Sequence, residues 1–296
     1  MHDIFFFTDL HGQKDLFHAM YNWCMRQDPE CTIVYGGDAA DRGDHGYELM
    51  RELLDLPNII YLKGNHEDMF VKACDAIIGH NAMNDEAYAQ LHVKKTKEEA
   101  EVFLQAQRGE DVSLACYNGA WPTLLAWVMD GADEEIVERI RELPLTLKYE
   151  NFDFCHSAYI PTAFEDVNMA EYEEQPASPY AEDGLLWDRH SLNYGWTTGR
   201  YVFFGHTPTV HLHSKIHHGM LENEIRPCAW QSLVPSDREK RGGWKIDMDT
   251  GATWTGRAYV INCLTLTVYG FYDNTVAHPD EDAQPLDEPF ENYKII

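Results

Sequence analysis

Three polar strings each begin where a short apolar run ends: Asp9-Leu10-His11, Gly37-Asp38-Ala39-Ala40-Asp41-Arg42-Gly43 and Gly64-Asn65-His66-Glu67. The runs before them, Ile4 to Phe7, Thr32 to Tyr35 and Asn58 to Leu62, have the length and composition of buried strands. Helix-period stretches follow at about residues 13 to 28, 44 to 56 and 67 to 79. This βαβαβα order predicts parallel strands joined by right-handed crossovers. It gathers the loops that follow the strands on one sheet edge, where open α/β folds bind ligands. All three strings therefore face one crevice.

The rest of the chain is less regular. Residues 84 to 108, rich in Glu, Lys, Gln and Ala, read as one helix, and Asp133 to Leu143 as another, ended by Pro144. Together they suggest a solvated helical insertion at about 80–143 in a single domain of 296 residues. Strand-like runs follow at 145 to 149, 152 to 155, 201 to 204, 257 to 262 and 264 to 271, enough for a second sheet packed on the first. Two acidic, Pro-containing stretches read as a surface loop, 165 to 184, and a mobile tail, 274 to 292, within an acidic C-terminal segment at about 274–296.

A formal charge of −27 disfavours long nucleic acids and anionic membrane surfaces as partners. Seven scattered cysteines with no Cys-x-x-Cys pair argue against a disulfide framework and for a reducing compartment. The apolar run before Asp9 is too short for a signal-peptide core, so the expected location is cytoplasmic, away from the membrane. Oligomeric state is open.

Carboxylates, imidazoles and an amide suit hard or borderline divalent ions, and two such ions can share one carboxylate. Asp38 is the natural bridge. Asp9 and His11, two apart at a strand end, can reach one ion, and Asn65 can offer its amide oxygen to the other. His156 and His206 each end a later apolar run and supply the ligands that the second ion still lacks.

The series Asp-x-His, Gly-Asp-x-x-Asp-Arg-Gly, Gly-Asn-His-Glu, a strand-end His and Gly-His-Thr-Pro resembles the phosphoprotein phosphatase family of metallophosphoesterases. Its bacterial and phage branch, with lambda-type Ser/Thr phosphatases and diadenosine tetraphosphate hydrolases, is the most similar in size. The match runs from Asp9 to His206 and extends to Asp249-Thr250-Gly251-Ala252. The resemblance implies an α/β fold, a calcineurin-like β-sandwich of two mixed sheets flanked by helices. It also implies two divalent transition metal ions, Mn²⁺ first and Fe or Zn as alternatives. The first would be held by Asp9, His11 and Asp38, the second by Asp38, Asn65, His156 and His206. Arg42, Arg189 and Asn65 would bind the phosphate. His66, oriented by Asp41, would protonate the leaving group while a metal-bridging hydroxide attacks phosphorus in line.

The implied substrate is a phosphomonoester, either a phosphoserine or phosphothreonine protein or a small phosphate ester. The alternative is a dinucleoside polyphosphate, for which a basic track would be expected and is not seen. A catalytically dead binding module would lack a ligand or His66, and none is missing. Cys155 has no arginine-rich phosphate loop and is a poor candidate nucleophile. His211, His213, His217 and His218 read as a solvated hairpin. The tryptophans read mostly as packing, with one or two at the cleft rim able to stack a base. The segment from Pro208 to Gly243 matches no recognised substrate loop.

Overall fold

The computed structural model describes residues 2–157, 181–189, 200–211, 226–234, 237–272 and 291–293. Strand β1 (Ile4–Phe7) is apolar on both faces because both are covered. Phe5 and Phe7 point to a core shared with the helices, whereas Ile4 and Phe6 join Phe154, Phe203 and Ile246 in a second core between two sheets. Burying one such phenylalanine contributes about 2 kcal/mol, so the alternation of these two faces fixes β1 in the middle of the molecule.

β1 lies parallel to β2 (Thr32–Tyr35), which lies parallel to β3 (Ile59–Tyr61). The connections are α1 (Lys14–Gln27) and α2 (Gly46–Asp55), as the βαβαβα pattern predicts. α1 buries Leu16, Phe17, Met20, Trp23 and Cys24, one helical stripe, with Trp23 set edge-on to Phe5 at 5.6 Å. On the other side of β1, β9 (Arg257–Asn262) and β10 (Thr267–Tyr272) pair antiparallel and complete a five-stranded sheet in the order β10-β9-β1-β2-β3.

α3 (Asn65–Asn81) is followed by α4 (Asp85–Leu91), α5 (Lys97–Ala106), α6 (Glu110–Tyr117), α7 (Trp121–Met129) and α8 (Glu134–Arg141). The single helix expected over 84 to 108 is thus two. Asn84 caps α4 through the Glu86 and Ala87 N–H groups, and Thr96 and Glu99 form a new capping box that restarts the chain as α5. α7 lies in a stretch given no element from sequence. It is apolar nearly all round, so it shows no amphipathic stripe, and it buries Leu124, Trp127 and Val128.

The second sheet runs β11-β7-β8-β6-β5-β4. It contains β4 (Thr146–Tyr149), β5 (Phe152–Cys155), then, after α9 (Ala181–Trp187), β6 (Tyr201–Phe204), β7 (Cys228–Val234) and β8 (Asp237–Asp247). After the four-residue α10 (Ala252–Thr255), β9 and β10, the sheet gains β11 (Glu291–Tyr293). The structure adds one pair of strands and corrects two expectations. β7 and β8 pair antiparallel within and beyond the unmatched 208 to 243 segment. α9 begins inside the stretch read as a surface loop. β11 pairs parallel with β7 inside the segment read as a tail, because β7 offers it an edge to join. The remainder of the loop, 165 to 180, and residues 274 to 290 lie outside the described residues. Two mixed sheets face each other with helices outside, the sandwich that the resemblance implies. No helix among the described residues is long and apolar enough to cross a membrane.

Candidate metal centre and phosphate site

The loops after β1 and β2 continue the pairing of their strands. Asp9 N donates to Gly37 O at 3.0 Å, His11 N to Asp38 O at 3.0 Å and Gly12 N to Ala39 O at 2.8 Å. Tyr35 ties them further, its hydroxyl accepting from Leu10 N and donating to Asp38 O. This close weave forces left-handed backbone. Of nine non-glycine residues with positive φ among the described residues, six are Asp9, His11, Asp38, Asp41, Arg42 and His206. Such conformations cost on the order of 1 kcal/mol or more each, and their concentration on the motif residues marks a functional site. Gly37 (φ 99°) and Gly205 complete the weave. A side chain on Gly37 would strike the Gly64 backbone, and one on Gly205 would overlap the Asp9 carboxylate.

Glu67 organises the second and third strings together. Its carboxylate accepts from Asp38 N (2.7 Å), Ala39 N (2.8 Å), Ala40 N (3.2 Å) and Gly64 N (2.8 Å). A buried anion thus satisfies four backbone donors at the start of α3 and fixes where Asp38 and Asn65 stand. The sequence shows Glu67 as part of the Gly64-Asn65-His66-Glu67 string but not this role. Its signal was position N3 of a helix that opens on Gly64.

The ligand-type side chains converge in two groups that share Asp38. His11, Asp38 and His66 place ligand atoms within 4.8 Å of one another, and so do Asp38, His156 and His206. The first group includes His66 beside His11 and does not include Asp9, whose carboxylate accepts the His206 N–H (3.1 and 3.2 Å) and the Thr8 hydroxyl at 2.6 Å. Asn65 Oδ1 lies 2.9 Å from His156 Nε2 and 2.8 Å from His206 Nδ1.

Two imidazoles are locked in one tautomer. His11 Nδ1 donates to Ala40 O at 2.8 Å and His156 Nδ1 to Gly36 O at 2.9 Å, so each turns an Nε2 lone pair inward. At His156 that lone pair meets the Asn65 carbonyl oxygen, acceptor against acceptor, and at His11 it meets the Arg42 guanidinium at 2.6 Å. Acceptors facing one another in a buried site call for a cation. Burial pushes His156 down to about 4 and His11 and His206 well below their usual value, leaving them neutral, the form that ligates metal. Burial likewise raises Asp9 and Asp38, a cost that a divalent ion would remove. The donor set of carboxylate, imidazole and amide oxygen fits two first-row divalent ions.

His66 is held differently. Its Nδ1 is 2.7 Å from Asp41 Oδ2, both groups are buried, and its Nε2 accepts from Arg42 at 2.9 Å. Burial pushes Asp41 up to about 7 and His66 down to about 4, which favours the neutral form of each in the metal-free site. Asp41 N in turn donates to Thr123 Oγ1 of α7 at 2.9 Å, a contact that α7 supplies from 82 residues away.

Arg42 spans His11 and His66 with its two terminal nitrogens, a fork suited to phosphoryl oxygens. Arg189, exposed just after α9, is near enough that its charge helps depress His156 and His206. Asp249 opens the Asp249-Thr250-Gly251-Ala252 stretch, to which the sequence assigns no role. It is buried, accepts from Gly251 N and raises Asp9 by its charge. Of the histidine string, His211 is described and lies beside Trp254, whereas His213, His217 and His218 lie outside the described residues.

Fold and site together are those of a phosphoesterase scaffold with two groups of side chains that could hold metal ions. Residues 2–210 match the model of the calcineurin-like phosphoesterases, and the chain belongs to that family. No curated protein sequence matches the chain. Among solved structures, the fold is similar to that of a candidate diadenosine tetraphosphatase, with 12% identity over 92% of this chain and 93% of that one and a TM-score of 0.50. It is also similar to that of a cold-active protein tyrosine phosphatase, with 13% identity over 97% and 79% of the respective chains and a TM-score of 0.50. At such identities the likeness is one of fold.

Proposed function

We propose that this protein is a metal-dependent phosphomonoesterase, acting on a phosphorylated protein or a small phosphate ester. The observation that carries the reading is the Asp41–His66 pair, 2.7 Å apart, beside two ligand groups that share Asp38. Asp9, His11 and Asp38 would hold one ion and Asp38, Asn65, His156 and His206 the other, with Mn²⁺ the best match to the ligands. Such ions lower the pKa of water and offset phosphoryl charge. Asn65, Arg42 and Arg189 would grip the phosphoryl oxygens, which frees His66 Nε2 from Arg42 to take up a proton from solvent and then deliver it to the leaving oxygen. Asp41 keeps the ring oriented and stabilises its cationic form. Direct hydrolysis is favoured over a thiol route because Cys155 is buried, with its thiol pushed up to about 12. Seven free cysteines support a reducing, cytoplasmic setting.

The test compares the wild-type protein with His66→Asn on a phosphoserine peptide, para-nitrophenyl phosphate and diadenosine tetraphosphate with manganese present. The phosphopeptide expels a poor alkoxide, whereas para-nitrophenolate leaves well unaided. His66→Asn should lower kcat by about 10² to 10⁴ on the phosphopeptide and much less on para-nitrophenyl phosphate. Equal losses with chemistry rate-limiting would remove His66 as the acid. Strong preference for diadenosine tetraphosphate would replace the phosphomonoester reading.

A further inference from the structure

Trp254 is 57% exposed, an unusual state for an indole, and it is not an isolated surface residue. It sits on α10, a single turn flanked by Gly251 and Gly256, both left-handed. The Arg42 guanidinium carbon lies 5.4 Å from its ring centroid, and the His211 ring stands edge-on to it at 5.7 Å. The same guanidinium donates to His66 Nε2, so one planar group joins the indole to the catalytic imidazole. Gly119 supports Arg42 from below. Its carbonyl accepts the Arg42 N–H at 3.0 Å, and a side chain there would press on Arg42 Cγ at 3.1 Å.

A cation–π contact at so exposed a site contributes only about 0.5–1 kcal/mol, too little to account for leaving an indole in water if steadying Arg42 were its whole role. A second flat group would complete the arrangement. We propose that Trp254 is the platform of an aromatic subsite: a planar ring on the ester side of the substrate stacks on the indole while Arg42 grips the phosphoryl group at its edge. The ring could be the aryl group of an aryl phosphate or the base of a nucleotide, which share this chemistry. The inference rests on the phosphomonoesterase reading and narrows its substrate to esters that carry an aromatic ring.

The test measures binding as well as turnover. Phenylphosphonate, methylphosphonate and adenosine 5′-monophosphate would be titrated calorimetrically into wild-type protein, Trp254→Leu and Trp254→Phe. Hydrolysis of phosphotyrosine, adenosine 5′-monophosphate and phosphoserine would be followed in parallel with manganese. Trp254→Leu should weaken phenylphosphonate or the nucleotide about tenfold and raise KM for the corresponding substrate to match. Methylphosphonate and phosphoserine should change less than about twofold, and Trp254→Phe should restore most of the loss. A loss confined to phenylphosphonate and phosphotyrosine marks an aryl ester, and one confined to the nucleotide marks a nucleoside phosphate. Equal losses on aromatic and alkyl ligands would mean that Trp254 only positions Arg42, and no change on any ligand would leave it without a role. Either result overturns the subsite. Ring-selective binding through Trp254 without hydrolysis of any phosphomonoester would retain the subsite and refute the phosphatase reading.

Discussion

The two sheets bring their side chains to the same cleft by opposite means. The first places Asp9, His11, Asp38, Asp41 and Arg42 on loops in left-handed backbone, laced by interloop N–H to carbonyl bonds and by the Glu67 carboxylate. The second adds His156 and His206 at the ends of β5 and β6, with one clamp each: Gly36 O for His156 Nδ1 and the Asp9 carboxylate for His206 N. The first sheet therefore concentrates left-handed backbone and buried charge in its own loops, while the second contributes two neutral imidazoles, of which His206 alone shares the left-handed backbone. Groups that handle a proton or a phosphoryl charge need fixed geometry, and ligands that only share an ion can be simpler.

Asp38 belongs to both sides, since its Oδ1 is 3.3 Å from His156 and its Oδ2 3.5 Å from His11. The largest effect is expected there. Asp38→Asn should empty both ion sites by elemental analysis and lower kcat by at least about 10³, whereas His156→Asn should leave one ion per chain. A fully loaded, inactive Asp38→Asn would show that the two sides do not meet at this residue.

The contrast itself is tested at Glu67. Glutamine keeps its size but offers one acceptor oxygen and turns an NH₂ toward donors, so at least one of four buried N–H groups loses its partner. Glu67→Gln should destabilise the chelated protein by about 2–3 kcal/mol in denaturant unfolding, while His156→Asn should change it by less than about 1 kcal/mol. Similar losses in the two variants would erase the distinction between a half organised by a buried carboxylate and one that is not.

The same difference explains how much was legible in the chain. The three βα units of the first sheet could be placed to within a residue or two because each is local and Gly37, Gly64 and the carboxylates punctuate them. His156 and His206 were legible as strand-end residues, and the structure brings both to Asn65. What sequence did not disclose came from distance. β7 and β8 hide in a segment with no motif, β11 gains its place only by joining β7, and Thr123 reaches Asp41 through a helix with no stripe. Trp254 was one of many tryptophans until Arg42 was seen beside it.

The smallest expected effect concerns the proton shared within the first half. In the folded, metal-free protein Asp41 is pushed up to about 7 and His66 down to about 4, chiefly by burial. Unfolded, the same groups titrate near roughly 3.9 and 6.5. Between about pH 4 and 6.5 the native pair holds one proton on the carboxyl and the unfolded pair holds one on the imidazole, so the pair makes stability almost independent of pH in that window. Asp41→Asn removes the compensating proton. His66 alone then has a folded value below its unfolded one, the unfolded chain binds more protons, and stability must rise with pH from 4 to 6.5. The gap between wild type and Asp41→Asn should accordingly widen by about 1–2 kcal/mol as pH falls across this range, measured by urea unfolding after chelation. Parallel curves would mean that the Asp41 carboxyl stays ionised across this range in the folded protein, its 2.7 Å contact with His66 offsetting the effect of burial.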